Sequence, residues 1–156
     1  MHGIPPPDFY KANWYAAVDK ENSKIGVGVI VRDSGGLIIA SLCSSISLSP
    51  DPLLGEAVAA LGASSFYSEL GLNQIMLEGD SLAVIQAVQH KDESWSPTGL
   101  VIRDIKIVLS KVQTWSIHYI SRKFNVIAHA LAKFALTCSE EHIFMEEYLP
   151  CIQYLL

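Results

Sequence analysis

Three β-rich stretches, Lys11 to Asp19, Ile25 to Arg32 and Leu37 to Ser45, are separated by Lys20-Glu21-Asn22-Ser23-Lys24 and by Asp33-Ser34-Gly35-Gly36. Both separators are short runs of turn formers, so the spacing predicts an antiparallel meander. Gly26 and Gly28, two apart in the second stretch, leave one face of that strand open to close backbone approach. After Ser49-Pro50-Asp51-Pro52 the period changes. Leu54, Ala57, Val58, Leu61 and Ser65 recur at helical spacing and predict a helix ending near Gly71. Gln74 to Glu78 reads as a short buried strand, Ser81 to His90 as a second helix, and Ser96-Pro97 as the start of a third that carries Leu100, Ile102, Ile105 and Val112. Trp115 to Ile120 reads as a strand, and Val126, Ala130, Leu131 and Phe134 as the apolar stripe of a last helix. A meander followed by strand–helix alternation implies a mixed α/β sheet with strands one, four and five parallel and helices over its faces. Sites in such sheets lie beyond the carboxyl ends of the parallel strands, here near Ala16, Asp80 and Ser121.

Composition narrows the class. The 156 residues suit one domain, and a chain that is 50% apolar and 17% charged folds. No apolar run reaches the roughly 20 residues of a membrane span, and the N-terminus lacks the layout of a secretory signal, so an intracellular protein of nucleus or cytoplasm, off the membrane, is expected. Cys43, Cys138 and Cys151 are odd in number and have no metal-ligand spacing, which suggests neither a disulfide framework nor a zinc site. A net charge of -5 argues against a generally basic surface, so any polyanion contact must be local. Pro5-Pro6-Pro7 marks an extended lead-in over 1–9, ahead of a domain over 10–138; the acidic and apolar tail, 139–156, has no assigned place.

Glu56 lies early in the first predicted helix, among small apolar residues, and Asp80 directly follows a strand in Glu78-Gly79-Asp80-Ser81. Two carboxylates converging beyond a parallel edge need a cation between them, and oxygen ligation favours Mg²⁺ or Mn²⁺. The same acids also read as helix-start supports, Glu56 through the helix dipole and Asp80 as a cap. Arg122 and Lys123 precede the last helix, where a phosphate could meet both side chains and the helix amides; an ordinary solvated pair reads as well. Asn125 reads as that helix's cap, and Trp14 and Trp115 as packing residues in strands.

Five ordered motifs add a resemblance. Lys11-x-Asn13-x-x-Ala16-Ala17, Gly26-Val27-Gly28-Val29-Ile30-Val31-Arg32-Asp33, Glu56-Ala57-x-Ala59, Glu78-Gly79-Asp80-Ser81 and Arg122-x-x-Asn125-x-x-Ala128-His129-x-Leu131-Ala132 together resemble the RNase H-like, or reverse-transcriptase-like, domains carried by plants and derived from non-LTR retroelements. The resemblance implies an RNase H-like α/β fold with a five-stranded mixed sheet in the order 3-2-1-4-5. It also implies a two-metal phosphodiesterase site that cuts the RNA strand of an RNA/DNA hybrid, with acids from the first strand, the first helix and the end of the fourth strand, and an Asp or His on the last helix. Glu56, Asp80 and His129 match three of these positions, and Arg122, Lys123, Asn125 and Ser81 are the candidate nucleic-acid contacts.

The first-strand acid is absent. The family pattern is Lys-x-Asn-x-Asp-Ala-Ala, and here Tyr15 holds the Asp position. A phenol with a reference pKa of about 10 is neutral at pH 7 and cannot bridge two hard cations. Asp19, four residues on, would stand roughly 13 Å away along the strand and does not substitute. The expectation is a nucleic-acid-binding domain for hybrid or structured RNA, with Glu56 and Asp80 holding Mg or Mn weakly or not at all and little or no hydrolysis. The alternatives are a residual Mg/Mn-dependent hybrid ribonuclease, and a protein-interaction or dimerisation module on a vestigial fold.

Overall fold

The computed structural model describes residues 8–49, 51–91 and 93–145. The Pro5-Pro6-Pro7 lead-in, Cys151 and the tail beyond 145 lie outside the described residues. The meander forms β1 (Tyr10–Asp19), β2 (Lys24–Arg32) and β3 (Ile38–Ser47), and is followed by α1 (Pro52–Glu69), β4 (Gln74–Gly79), α2 (Leu82–Gln89), α3 (Pro97–Leu109), β5 (Thr114–Tyr119), a 3₁₀ turn (Arg122–Phe124), α4 (Val126–Ala135) and β6 (His142–Met145).

The strands make one sheet in the order β5-β4-β1-β2-β3-β6, with β1, β4 and β5 parallel and the other pairings antiparallel. The expected order 3-2-1-4-5 is present, but the count of five is corrected to six among the described residues. Part of the tail left unplaced by the sequence pairs with the outer edge of β3, from Ala40↔Met145 to Cys43↔His142. This edge otherwise offers unpaired backbone groups, and Phe144 packs against the apolar cluster of Ile30, Ile38, Cys43, Leu131 and Ala135.

One face of the sheet carries α1, which touches β1 and β2 on one side and α3 on the other. A helix enclosed on two sides needs small residues, and Gly55, Ala57, Ala59, Ala60, Ala63 and Ser64 are all buried. Trp14 is fully buried in this core, and Trp115 packs at its margin, as their strand positions predict. The other face carries α4. An added Cβ at Gly26 would run into the Ala132 carbonyl, and one at Gly28 into the Ala128 carbonyl, so the two glycines seat α4 directly on β2. No helix among the described residues is long and apolar enough to cross a membrane. Cys43 is buried, its thiol donating to Leu131 O at 3.4 Å, and Cys138 is half-buried.

Candidate functional site

The site opens where β1 and β4 part. Their parallel pairing ends at Asn13↔Glu78, and β1 continues along β2 to Asp19↔Lys24. A buried polar network fixes this fork: Lys11 Nζ lies 3.1 Å from Glu78 Oε1, Asn13 Nδ2 donates to the same oxygen at 3.3 Å, and Arg32 Nη1 donates to Asn13 Oδ1 at 3.3 Å. Sequence reading noted Lys11, Asn13 and Glu78 only as motif letters; their alternation on one strand face was the available signal. Gly79, last in β4, lies against the Trp14 indole so closely that any side chain there would collide with it.

Beyond the fork, a cleft of about 430 Å³ is lined by Tyr15, Glu56, Asp80, Ser81, Arg122 and Lys133. Glu56 does not start its helix. Asp51 caps α1, accepting from the amides of Leu53 at 3.0 Å and Leu54 at 3.4 Å, and Glu56 stands a turn further in. Asp80 likewise does not cap α2; Ser81 does, accepting from Val84 N at 3.4 Å. Both acids are thereby left to the cleft. Asp80 Oδ2 accepts from Arg122 Nε at 3.3 Å, while Asp80 Oδ1 and Glu56 Oε2 are buried without a hydrogen-bond partner.

Tyr15 fills the space between these acids and α4. Its ring lies 4.6 Å from the His129 ring, centroid to centroid, and the Arg122 guanidinium carbon is 5.6 Å from its centre. Burial pushes the Tyr15 phenol up, with Asp80 and Glu56 adding to the effect against the opposing pull of Arg122. It is therefore neutral at pH 7. Burial first, and Asp80 second, raise Glu56 to about 8, with the Ala16 amide and the Trp14 indole pulling it down only in part. Burial, then Lys133 and Arg122, hold His129 below its ordinary value, so its imidazole is also neutral.

These residues do not fit the two-cation centre that the resemblance implies. Glu56 and Asp80 offer two unpartnered carboxyl oxygens, but Tyr15 supplies neither charge nor a bridge, and Arg122 already neutralises Asp80. Among the described residues, no group of three or more His, Cys, Asp or Glu side chains is placed to hold a metal ion. His129, expected at the fourth catalytic position, meets the site through the Tyr15 ring.

The structure also separates the candidate nucleic-acid contacts. Arg122 turns into the cleft, whereas Lys123 and Asn125 border a different cavity. Asn125 occupies the helix-start position without capping, because its Nδ2 donates to Trp14 O at 2.8 Å. Asp19 lies away from the site: its carboxylate accepts from Asn22 in the β1–β2 turn.

The family model described as reverse transcriptase-like matches residues 13–135, most of the chain and the whole site. The chain belongs to the reverse transcriptase-like family. Three solved structures share the fold of this reverse transcriptase-like chain. RNase H1 from the halophilic archaeon Halobacterium salinarum superposes with a TM-score of 0.76 at 24% identity, over 83% of this chain and 98% of that one. The N-terminal RNase H domain of rv2228c from Mycobacterium tuberculosis gives 0.74 at 15%, over 83% and 94%. LC11-RNase H1 in complex with an RNA/DNA hybrid gives 0.68 at 17%, over 82% and 96%. No curated protein matches the sequence.

Proposed function

We propose that this reverse transcriptase-like domain binds RNA/DNA hybrid or structured RNA across the Tyr15–Asp80 cleft and hydrolyses it weakly or not at all. The observation that carries the reading is Tyr15 itself: a neutral phenol, packed on His129, stands where an anionic bridge would be needed. Arg122 supports it, since a guanidinium on Asp80 supplies in place the positive charge that a divalent ion would bring. LC11-RNase H1, of the same fold, is known in complex with an RNA/DNA hybrid, which supports the ligand class. In this reading Glu56 and Asp80 are the remnants of the catalytic and metal-binding set, Ser81 and Arg122 border the bound strand, and Mg²⁺ or Mn²⁺ binds weakly and singly.

The second reading, a residual Mn²⁺-dependent hybrid ribonuclease, draws on the two unpartnered oxygens of Glu56 and Asp80. A hybrid-cleavage assay in Mg²⁺ and in Mn²⁺ separates the two. The chain is expected to show no turnover above background, and Tyr15→Asp to gain Mn²⁺ binding by calorimetry, since it restores an oxygen ligand beside the other two. Cleavage by the unaltered chain at the rate of an intact RNase H1 overturns the proposal.

A further inference from the structure

A cavity of about 190 Å³ lies where the end of α2, the start of α3 and the first turn of α1 meet, with Leu53, Ala87, Trp95, Leu100, Arg103 and Lys106 in its wall. None of the cleft's acids or cations borders it, but Leu53 forms a wall of both openings, so the two are continuous around the start of α1. Trp95 is 75% exposed at the rim, and Leu53 and Leu100 are exposed beside it. An indole left so far in water forfeits burial that the pocket beside it would supply.

The chain around Trp95 holds the ring out. Ser94 Oγ and Ser96 Oγ lie 2.9 Å apart, Ser96 Oγ accepts from Gly99 N at 3.1 Å, and an added Cβ at Gly99 would run into the Ser94 carbonyl. Both neighbours of Trp95 are thus tied to the start of α3, and a ring presented in place loses little conformational freedom when it makes a contact. The Arg103 guanidinium carbon stands over the indole, 5.7 Å from the ring centre. Lys106, whose Nζ donates to the His90 carbonyl, is a second cation in a wall whose one acid is Glu93. A fixed aromatic face beside cations suits a base stacked next to its phosphate. A protein partner could meet the same ring, but the shared Leu53 wall leads from this pocket into the cleft, and that continuity favours a strand.

We infer that the pocket receives an unpaired strand continuing from a duplex in the cleft, with a base stacked on Trp95 and a phosphate met by Arg103 and Lys106. The inference rests on the cleft reading above and narrows its ligand, from any hybrid to one that carries a single-stranded extension. A paired base has both faces covered by its neighbours in the stack, so only an unpaired one can lie on the indole.

The test titrates the full chain against fluorescein-labelled RNA/DNA hybrids that are blunt or carry a four-thymidine overhang at the 5′ or the 3′ end, followed by anisotropy. An overhang of one polarity is expected to tighten binding about tenfold over the blunt hybrid, the usual scale of one stacked base. Trp95→Ala should abolish that gain, and Trp95→Phe, which keeps a smaller ring, should retain part of it. Arg103→Gln should lower the slope of log affinity against log salt for the overhung hybrid by about 0.7, one cation's share for a single strand. Both side chains are exposed, so the variants should fold, with circular dichroism as the check. The overhung hybrid should also shield the protein's fluorescence from acrylamide more than the blunt one does, because Trp14 is fully buried and Trp95 is the indole most open to the quencher. Blunt hybrid that binds while neither overhang adds affinity overturns this inference alone and leaves Trp95 as a contact for protein. A gain that survives Trp95→Ala overturns it as well. Blunt hybrid that fails to bind overturns the cleft reading instead, so the two failures are told apart by the blunt titration.

Discussion

Glu56 is the residue on which the cleft's electrostatics turn. Its carboxyl, raised from 4.5 to about 8, is protonated at neutral pH when folded and ionised when unfolded. A carboxyl raised by folding stabilises most fully below pH 4.5, and that contribution is lost as pH rises through 8. The folded protein should therefore lose up to roughly 1.4 kcal/mol per pH unit through this window from Glu56, and Glu56→Gln should flatten that part of the profile. Urea melts of both proteins from pH 5 to pH 9 measure the difference, and parallel profiles would contradict it. The chemistry at Tyr15 was legible from the motif around it, because the identity of one residue in a known frame decides whether a carboxylate is present. The ring contact with His129 was not, since it joins β1 to α4 across more than a hundred residues of chain. Nor was the parting of Arg122 from Lys123. Neighbours in a 3₁₀ turn, with three residues per turn, project about 120° apart, and the sequence reading had them share one phosphate.

At the scale of elements, most strand and helix bounds were readable to within a residue or two, because alternation and helical spacing respond directly to which side faces the core; α3 stops at Leu109, and Val112, expected on that helix, is buried from the turn after it. β6 escaped because four residues carry too little pattern, and its partner edge on β3 is set by residues far back in the chain. The paired glycines of β2 were readable as a place of close approach, though not which helix would come. Gly28→Ala puts a methyl group into the Ala128 carbonyl and the Ala132 amide, both backbone atoms that cannot swing aside. It should cost about 2–3 kcal/mol in chemical denaturation, the upper range for an overpacked contact. It should also disturb His129, which lies one residue beyond Ala128 on the same helix. A melting curve matching the parent's would mean that α4 slides along the strand without penalty.

For the molecule as a whole, an acidic chain can hold a polyanion only through local positive charge. Arg122 in the cleft is already engaged by Asp80, so hybrid binding should be weak and should fall with rising salt at a shallow slope, near one or two released counterions. Mobility shifts at 50 and 200 mM salt read this directly, and a slope like that of a protein gripping six or more phosphates would show a larger contact surface than the cleft provides. The fork between β1 and β4 has one more effect. Past Asn13, β1 has lost its partner on one side, and side chains stand in for the missing neighbour: Asn125 takes the Trp14 carbonyl, and the Glu56 carboxyl lies against the Ala16 amide. That amide proton is consequently a resident spectator of whatever occupies the opening. Its nuclear resonance should drift as Glu56 ionises and jump when a cation or a strand arrives, signalling occupancy of the opening independently of any turnover.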